Sequence, residues 1–379
     1  MPKKYLQEKI TGSDGQYMAI QNGIPTGINA MFGVFPVIEV IAPSSTGNIV
    51  CSKDSVTLTA TPVPIEGTSN SKWTFNPSSY GVWTVSAVQT VGDSNSYIFS
   101  DSIDVIEVRT YTMIITSNDF VSKVLENTSW ELVKNVAKSM RGSSYWSIGD
   151  TKSVTLTGTS NISGLDSSST LSAGSYNACI IGFNHNTQLE GSGLIHFQLY
   201  KSSNVNRAWS GFKFNNTDTI VGGWKNSYLR TTQLGTSLTQ TNCLLSCFPQ
   251  ALKNVLSPVV KYTDNAGDNT SKISNITITL DYIFQPSVKE VFGDIEFSDM
   301  NQYEADYQQQ YAYYTTSSNI IRYLDNNSIA PTYLRSVGLN SLNLQVFDST
   351  ASPRSEPDSN NTPRCISPCF CVGENNLLS

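Results

Sequence analysis

The chain has 379 residues, enough for two domains or at most three, each with its own core. Charged residues make up 14% of it, against a usual share of about 25%, so Ser, Thr, Asn, Gln and Gly must supply the polar surface. With 24 basic and 30 acidic residues the net charge is −6. That leaves no general basic field for a phosphate backbone, so nucleic acid is not an expected partner.

The opening MPKKYLQEKITGSDGQ starts basic but has no apolar run behind it, so it does not read as a secretory signal. The most apolar stretch, Ile28 to Ala42, is interrupted by Gly33, Pro36 and Glu39. It falls short of the roughly 20 apolar residues of a membrane span, so membrane insertion is not expected. Residues 1–35 carry no sustained period and read as disordered or as ordered only against a partner.

From residue 36 the pattern becomes that of short strands. Val37 to Ile41 is a β-branched run closed by Pro43, and Val56, Leu58 and Ala60 alternate with threonines. Trp73 and Phe75 repeat the spacing, as do Trp83, Val85 and Ala87; Ile98 and then Ile103 to Val108 supply the last strands. Turn signals at short intervals predict an antiparallel sandwich over 36–110, Ig-like in architecture, with a linker over 111–127. Beyond it, Thr128 and Glu131 have the spacing of a capping box. Trp130, Val133, Ala137 and Met140 follow at helical spacing and Gly142 can end the helix. A second helix is predicted near Pro249, through Leu252, Val255 and Leu256, and a third from Met300 to Tyr314. On the third, Tyr303, Tyr307, Tyr311 and Tyr314 form a stripe that reads as a core-facing surface rather than a sugar platform. Strand-like segments at Ser153–Thr157, Cys179–Phe183, Leu194–Tyr200 and Ile276–Phe284 complete an α+β domain over 128–379. The polar run Arg354 to Pro363, held between apolar residues, has the form of a display loop.

Chemistry is sparse. Seven cysteines, an odd number, cannot all pair within one chain, and reduced buried thiols are the expectation over zinc at the two C-x-x-x-C pairs. His185 and His196 are the two histidines, and no serine lies in a G-x-S-x-G elbow, so hydrogen-bonded structural histidines are expected. Glu356, Pro357 and Asp358 have the form of a lectin calcium tripeptide but lack the downstream Trp-Asn-Asp cluster, so a solvated loop is favoured. No phosphate loop or dinucleotide fingerprint occurs. No cofactor and no metal are expected, and the chain does not read as an enzyme.

The phrases SYWSIGD (144–150), IIGFNHN (180–186), IHFQLYKS (195–202), GGWKNSYLR (222–230), VVKYTDNAG (259–267), DYIFQPSVKEVFG (281–293) and YEADYQQQYAYY (303–314) stand in one order. With TYLRSVGLNS (332–341) and CISPCFCVG (365–373), they resemble a domain-of-unknown-function family common in prophages. VIEVIAP (37–43), WTF (73–75) and YGVWTVSA (80–87) are similar to the Ig-like module often placed before it in phage tail proteins. Tyr333 stands where that family has Trp, and Ser367 where it has Arg. The resemblance implies a C-type-lectin-like, formylglycine-generating-enzyme-like fold for 128–379. It also implies a tail- or fibre-associated virion adhesin assembled in the host cytoplasm.

The partners to expect are then other virion proteins through residues 1–35, a host-surface carbohydrate or protein, and further copies in a homo-oligomer. Contact residues are placed on the loops 209–216, 226–230 and 340–363. They are Trp209, Asn226, Tyr228, Arg230, Asn340, Asn343, Arg354, Glu356, Asp358, Asn360 and Asn361. Two alternatives are a capsid-decoration or tail-spacer subunit without a ligand, and an oxidoreductase of formylglycine-generating type. The latter would use Cys365, Cys369 or Cys371.

Overall fold

The structure, a computed structural model, describes residues 20–21, 24–25, 35–91, 95–157, 162, 164–165, 172–201, 207–293, 299–324, 326–339, 343–347, 353–357 and 364–378. The chain is mainly β with a smaller helical part, and it divides into two compact units, Met1–Lys123 and Val124–Ser379.

In the first unit the strands are β1 (Val37–Pro43), β2 (Ile49–Lys53), β3 (Val56–Thr59), β4 (Val63–Pro64), β5 (Asn70–Phe75), β6 (Gly81–Val91), β7 (Asn95–Val105), β8 (Thr110–Ile114) and β9 (Val121–Ser122). They form two sheets, in the orders β8-β1-β5-β4 and β9-β7-β6-β2-β3. Alternation turns Ile38, Val40, Trp73 and Phe75 of one sheet and Cys51, Trp83, Val85 and Ala87 of the other into one shared core, so the unit is a β-sandwich. The sandwich runs past residue 110. Strand β8 pairs in parallel with β1, and β9 pairs with β7, so part of the segment read as a linker over 111–127 is sheet. In β8 only Tyr111 is fully turned inward and Ile114 is exposed, too short a pattern to stand out in the sequence. The Tyr111 hydroxyl fixes the preceding turn by accepting from the amides of Ile106 and Glu107, each at 3.0 Å. The region read as two strands, at Ile98 and at Ile103 to Val108, is one strand ending at Val105; Ile106 and Val108 lie beyond it and are exposed. In the proposed anchoring segment the described residues are Ile20–Gln21, Ile24–Pro25 and Phe35, the first two pairs hydrogen-bonded antiparallel. The rest of that segment lies outside the described residues.

The second unit opens with α1 (Trp130–Lys138) and α2 (Gly142–Tyr145). The cap of α1 is Ser129, whose hydroxyl accepts from the Leu132 amide at 3.2 Å. Thr128 lies one residue outside and Glu131 falls in the second helical position, so the predicted reciprocal box does not form. The helix ends at Ser139, before Met140 at φ 57°, and Gly142 opens the next turn instead of closing this one. A Cβ at Gly142 would stand 2.5 Å from the Phe183 ring.

There follow β10 (Thr151–Leu156), β11 (Gly174–Phe183), α3 (Thr187–Glu190), β12 (Leu194–Tyr200), β13 (Trp209–Phe212), α4 (Gly223–Asn226) and α5 (Gln250–Lys253). Then come β14 (Val259–Asp264), β15 (Ile276–Asp281), β16 (Ile283–Phe284), α6 (Val288–Phe292), β17 (Thr332–Val337), β18 (Asn343–Phe347), β19 (Pro353–Pro357), β20 (Arg364–Ile366) and β21 (Cys369–Gly373). One sheet has the order β10-β11-β12-β21-β16 and a second the order β13-β20-β17-β18-β19, while β14 and β15 form a separate hairpin. Every residue of β12 and of β17 is buried. Helix α1 covers the first sheet, with Trp130 edge-on to Phe197 at 5.5 Å.

The third predicted helix does not form. Residues 302–307 and 312–315 are two 3-10 turns, separated by extended backbone. Tertiary hydrogen bonds outcompete the helix there: the Tyr311 amide donates to the Glu290 carbonyl at 2.9 Å, and the Gln308 side chain donates to the Tyr262 carbonyl at 2.5 Å. The tyrosines therefore form no single stripe. Tyr311 and Tyr314 are buried, while Tyr307 stacks on Tyr262 with centroids 5.1 Å apart.

Candidate functional site

Several of the phrases quoted above converge on one buried polar core. Lys261 in β14 places its ammonium 2.8 Å from Glu190, 2.8 Å from Glu290 and 3.0 Å from the Tyr311 hydroxyl, so all three of its protons are engaged. Glu290 sits in α6, in a capping box with Ser287. It is gripped from the far side by Arg335 of β17, with one contact at 2.9 Å and a second, shorter one, giving a two-pronged pair. Arg335 also donates to Thr263 Oγ1 and to the Gln285 carbonyl. Two carboxylates thus face two cations out of water, each with hydrogen-bond partners. Burial alone would raise the Glu290 carboxyl, but Arg335 and Lys261 hold it well below the usual range.

His185 and His196 belong to this core. His185 lies with Nδ1 3.2 Å from Glu190 and donates from Nε2 to the Gln309 carbonyl at 2.9 Å. His196 Nδ1 is 3.0 Å from the Tyr311 hydroxyl and 3.2 Å from Cys371 Sγ. Lys261 donates to the Tyr311 oxygen, which frees that hydroxyl to donate to Nδ1. The network thereby assigns the imidazole proton to Nε2, which has no partner among the described residues. His185, Glu190 and His196 bring ligand atoms within 4.8 Å of one another, the group among the described residues placed to share a metal ion. The Glu190 oxygen facing the histidines is already held by Lys261, and a divalent ion would unbalance the charges. The geometry therefore suits a structural polar core.

Burial, with the charge of Lys261 adding to it, holds His196 neutral, with a pKa well below 6.5. In the unfolded chain the ring titrates near 6.5, so below that pH the unfolded state binds the extra proton. Stability is then lost as pH falls from about 6.5. Between pH 7 and 5 this one group contributes a loss of up to about 2 kcal/mol. Glu290 acts in the same direction below pH 4.5, whereas Glu304, whose carboxyl is raised by burial, acts in the opposite one. The His196 part is read as the difference in slope of urea-unfolding free energy against pH between the wild type and His196→Asn. The variant should have the shallower acid loss.

All seven cysteines are free and buried. Burial pushes the Cys365 thiol up to about 12 and raises those of Cys369 and Cys371 well above the usual thiol range. Cys365 and Cys369 fall on different strands, β20 and β21.

The predicted contact residues scatter. Trp209 is not on a loop: it is a fully buried residue of β13, its ring 5.2 Å from Tyr176. Arg230 is a positioning residue. Its Nε donates to Asp281 at 2.6 Å, and Asp281 also accepts the Trp224 indole at 2.9 Å and the Thr279 hydroxyl at 2.7 Å. Tyr228 is half-buried, its amide donating to Asn215 at 3.1 Å. Asn343 lies in β18, and Arg354 and Glu356 lie in β19, so the predicted contact loop 340–363 contains an antiparallel hairpin that continues the second sheet, and the first residues of the polar run 354–363 are strand. Asn340, Asp358, Asn360 and Asn361 lie outside the described residues.

Asn226 stands exposed on a formed recess. An open groove of about 310 Å³ is lined by Lys225, Asn226, Asn265, Ala266, Ser274, Asn275 and Thr277. The paired glycines before Trp224 shape it. Gly222 and Gly223 have φ of 94° and 53°, and a Cβ at Gly223 would stand 2.1 Å from the Asp264 carbonyl oxygen. Asn265 then locks α4 to the hairpin, accepting from the Lys225 amide at 2.8 Å and donating to Thr277 Oγ1 at 2.8 Å. Asn226, named from its loop position, lines this groove, and Asn265, Asn275 and Thr277, which no sequence pattern marks, are brought beside it by the β14–β15 fold-back.

Comparison of the chain with protein-family models, with curated proteins and with solved structures gives no match.

Proposed function

We propose that the chain is a non-enzymatic bacteriophage virion protein, tail- or fibre-associated, whose second unit binds a host-surface carbohydrate or protein. In this reading the sandwich is an Ig-like spacer and the second unit a lectin-like binding domain. The virion setting rests on the resemblance of the ordered phrases. The observation that carries binding over catalysis is the segregation of side chains. Both histidines and all the thiols are turned into the interior, while the groups left in water around the groove are amides, hydroxyls and one lysine. Such groups recognise a polar partner but offer no nucleophile with a base to activate it. The thiol-based oxidoreductase has the opposite requirement, an accessible thiol with a lowered pKa.

A second reading, a decoration or spacer subunit, is favoured by the outer face of the β14–β15 hairpin. There Ile278 and Leu280 are exposed opposite half-buried Tyr262 and Val260, a surface suited to contact with another copy. Immunogold electron microscopy of intact particles, with antibody raised against the full chain, tests the first reading. Gold at the tail tip or on fibres is the expected result. Gold spread over the capsid would favour decoration, and well-preserved particles without gold would overturn both.

A further inference from the structure

Lys225 is the one ionisable residue in the lining of the groove, and no carboxylate lines it. Its exposed ammonium has no partner among the described residues, although the chain as a whole is acidic. Around it the hydrogen-bonding capacity is fixed in direction. Asn275 has its Nδ2 engaged by Asp268 Oδ1 at 2.9 Å and Thr270 Oγ1 at 3.0 Å, which leaves its carbonyl oxygen as an acceptor for a ligand. Thr277 Oγ1 accepts from Asn265, so its own proton remains available to donate. Asn226 is exposed, its side-chain amide without a hydrogen-bond partner among the described residues, and an amide both donates and accepts.

A cation, a donor, an acceptor and an amide thus surround a recess whose volume is at the lower end of the range for small-ligand sites. No aromatic side chain is in its lining, and the neighbouring Trp224 is fully buried with its N–H on Asp281, so stacking on a ring face is not the means of recognition here. The complementary ligand is a polyol bearing one negative charge.

We propose that this groove is a subsite for an acidic sugar residue, a hydroxyl-rich unit carrying one carboxylate or phosphate. The anion pairs with Lys225, and the hydroxyls meet Asn226, Asn275 and Thr277. The inference rests on the binding function proposed above and names the ligand class of that surface. Because the lysine is exposed, the pairing is screened by salt, and the hydrogen bonds select hydroxyls over a bare anion.

The test is titration of the full chain, followed by ligand-observed NMR, with glucuronic acid, glycerol phosphate and neutral glucose. Binding by one or both acidic compounds, weakened about three- to fivefold by Lys225→Ala and also weakened by Asn226→Ala, and reduced at high salt, is the expected result. Uronate alone would assign the carboxylate and glycerol phosphate alone the phosphate; both together would assign the anion generally. Glucose bound as tightly as the acids, acid binding untouched by Lys225→Ala, or no saturable binding of any compound would overturn the proposal. Adsorption of the full chain to host cells separates the two levels. Adsorption that survives Lys225→Ala, with no acidic sugar bound by the wild type, removes the groove while leaving the adhesin. Acidic-sugar binding without adsorption keeps the groove and removes the adhesin.

Discussion

Replacing Arg335 with Met should destabilise the second unit by about 3–5 kcal/mol, the range for breaking a buried ion pair from one side. Arg335 is completely buried, and its guanidinium holds both oxygens of Glu290, the Thr263 hydroxyl and the Gln285 carbonyl. Met fills much of the volume but returns none of these hydrogen bonds. Glu290 would be left with Lys261 as its remaining cation, and Lys261 is shared with Glu190. The carboxylate would then have to stay charged with half its compensation or take up a proton, and either route costs free energy. Removing Glu290 as well, in a Glu290→Gln/Arg335→Met double variant, leaves Glu190 and Lys261 balanced. The double variant should therefore lose less than the two single losses added together, by about 0.5–3 kcal/mol. Urea unfolding of the full chain, followed by hydrogen exchange of peptides from Leu194–Tyr200 and Thr332–Val337, measures both quantities. A loss below about 1 kcal/mol for Arg335→Met would mean that the pair is no better than a surface one.

The way this core is encoded explains what the sequence reveals and what it hides. Period-two alternation made the strands legible. Leu194–Tyr200 coincides with its prediction at both ends, and Trp73, Phe75, Trp83 and Val85 fall in the sandwich core as their spacing implies. The polar core is different, because its members lie far apart in the chain and meet only when β14, α6 and β17 pack together. A signal was nevertheless present in the phrases themselves. Lys261 within VVKYTD and Arg335 within TYLRSV are charges inside apolar strands, positions where a charge is uncommon unless paired. Local rules failed where distant partners decided the backbone. Residues 300–314 carry helical spacing, yet Gln308 and Tyr311 are drawn off it by Tyr262 and Glu290. Arg230 resembled a free loop cation until Asp281, from the next hairpin, was brought against it. Trp209 reads as a loop residue because the strand WSGF is only four residues long and is interrupted by Gly211, which gives strand periodicity too little length to show.

The sandwich should prove as sensitive at Trp83 as the second unit is at Arg335. Trp83 lies in β6 with no exposed surface, and it meets Val85 and Ala87 of its own strand and the side chains of the facing sheet in one core. Trp→Ala in such a position costs about 3–5 kcal/mol, because apolar transfer energy is lost and a large cavity is left that rigid strands cannot collapse to fill. A sandwich of this size has a total stability of about 5–15 kcal/mol, so the loss takes a large part of it. The indole N–H donates to the Ser79 carbonyl at 2.9 Å, and Ser79 is exposed, so that carbonyl can turn to water when the donor is removed. Trp83→Phe therefore keeps most of the packing and strands no buried acceptor, and it should cost about 1–2 kcal/mol. The order Ala far worse than Phe is the outcome that identifies volume as the cause. Equal losses would point to the hydrogen bond. Hydrogen exchange across Val37–Pro43, Asn70–Phe75 and Gly81–Ala87, measured on the full chain at a fixed urea concentration, distinguishes the two. If Ala changes protection in none of these strands, the two sheets do not depend on this side chain and the sandwich core is not the cooperative unit its packing implies.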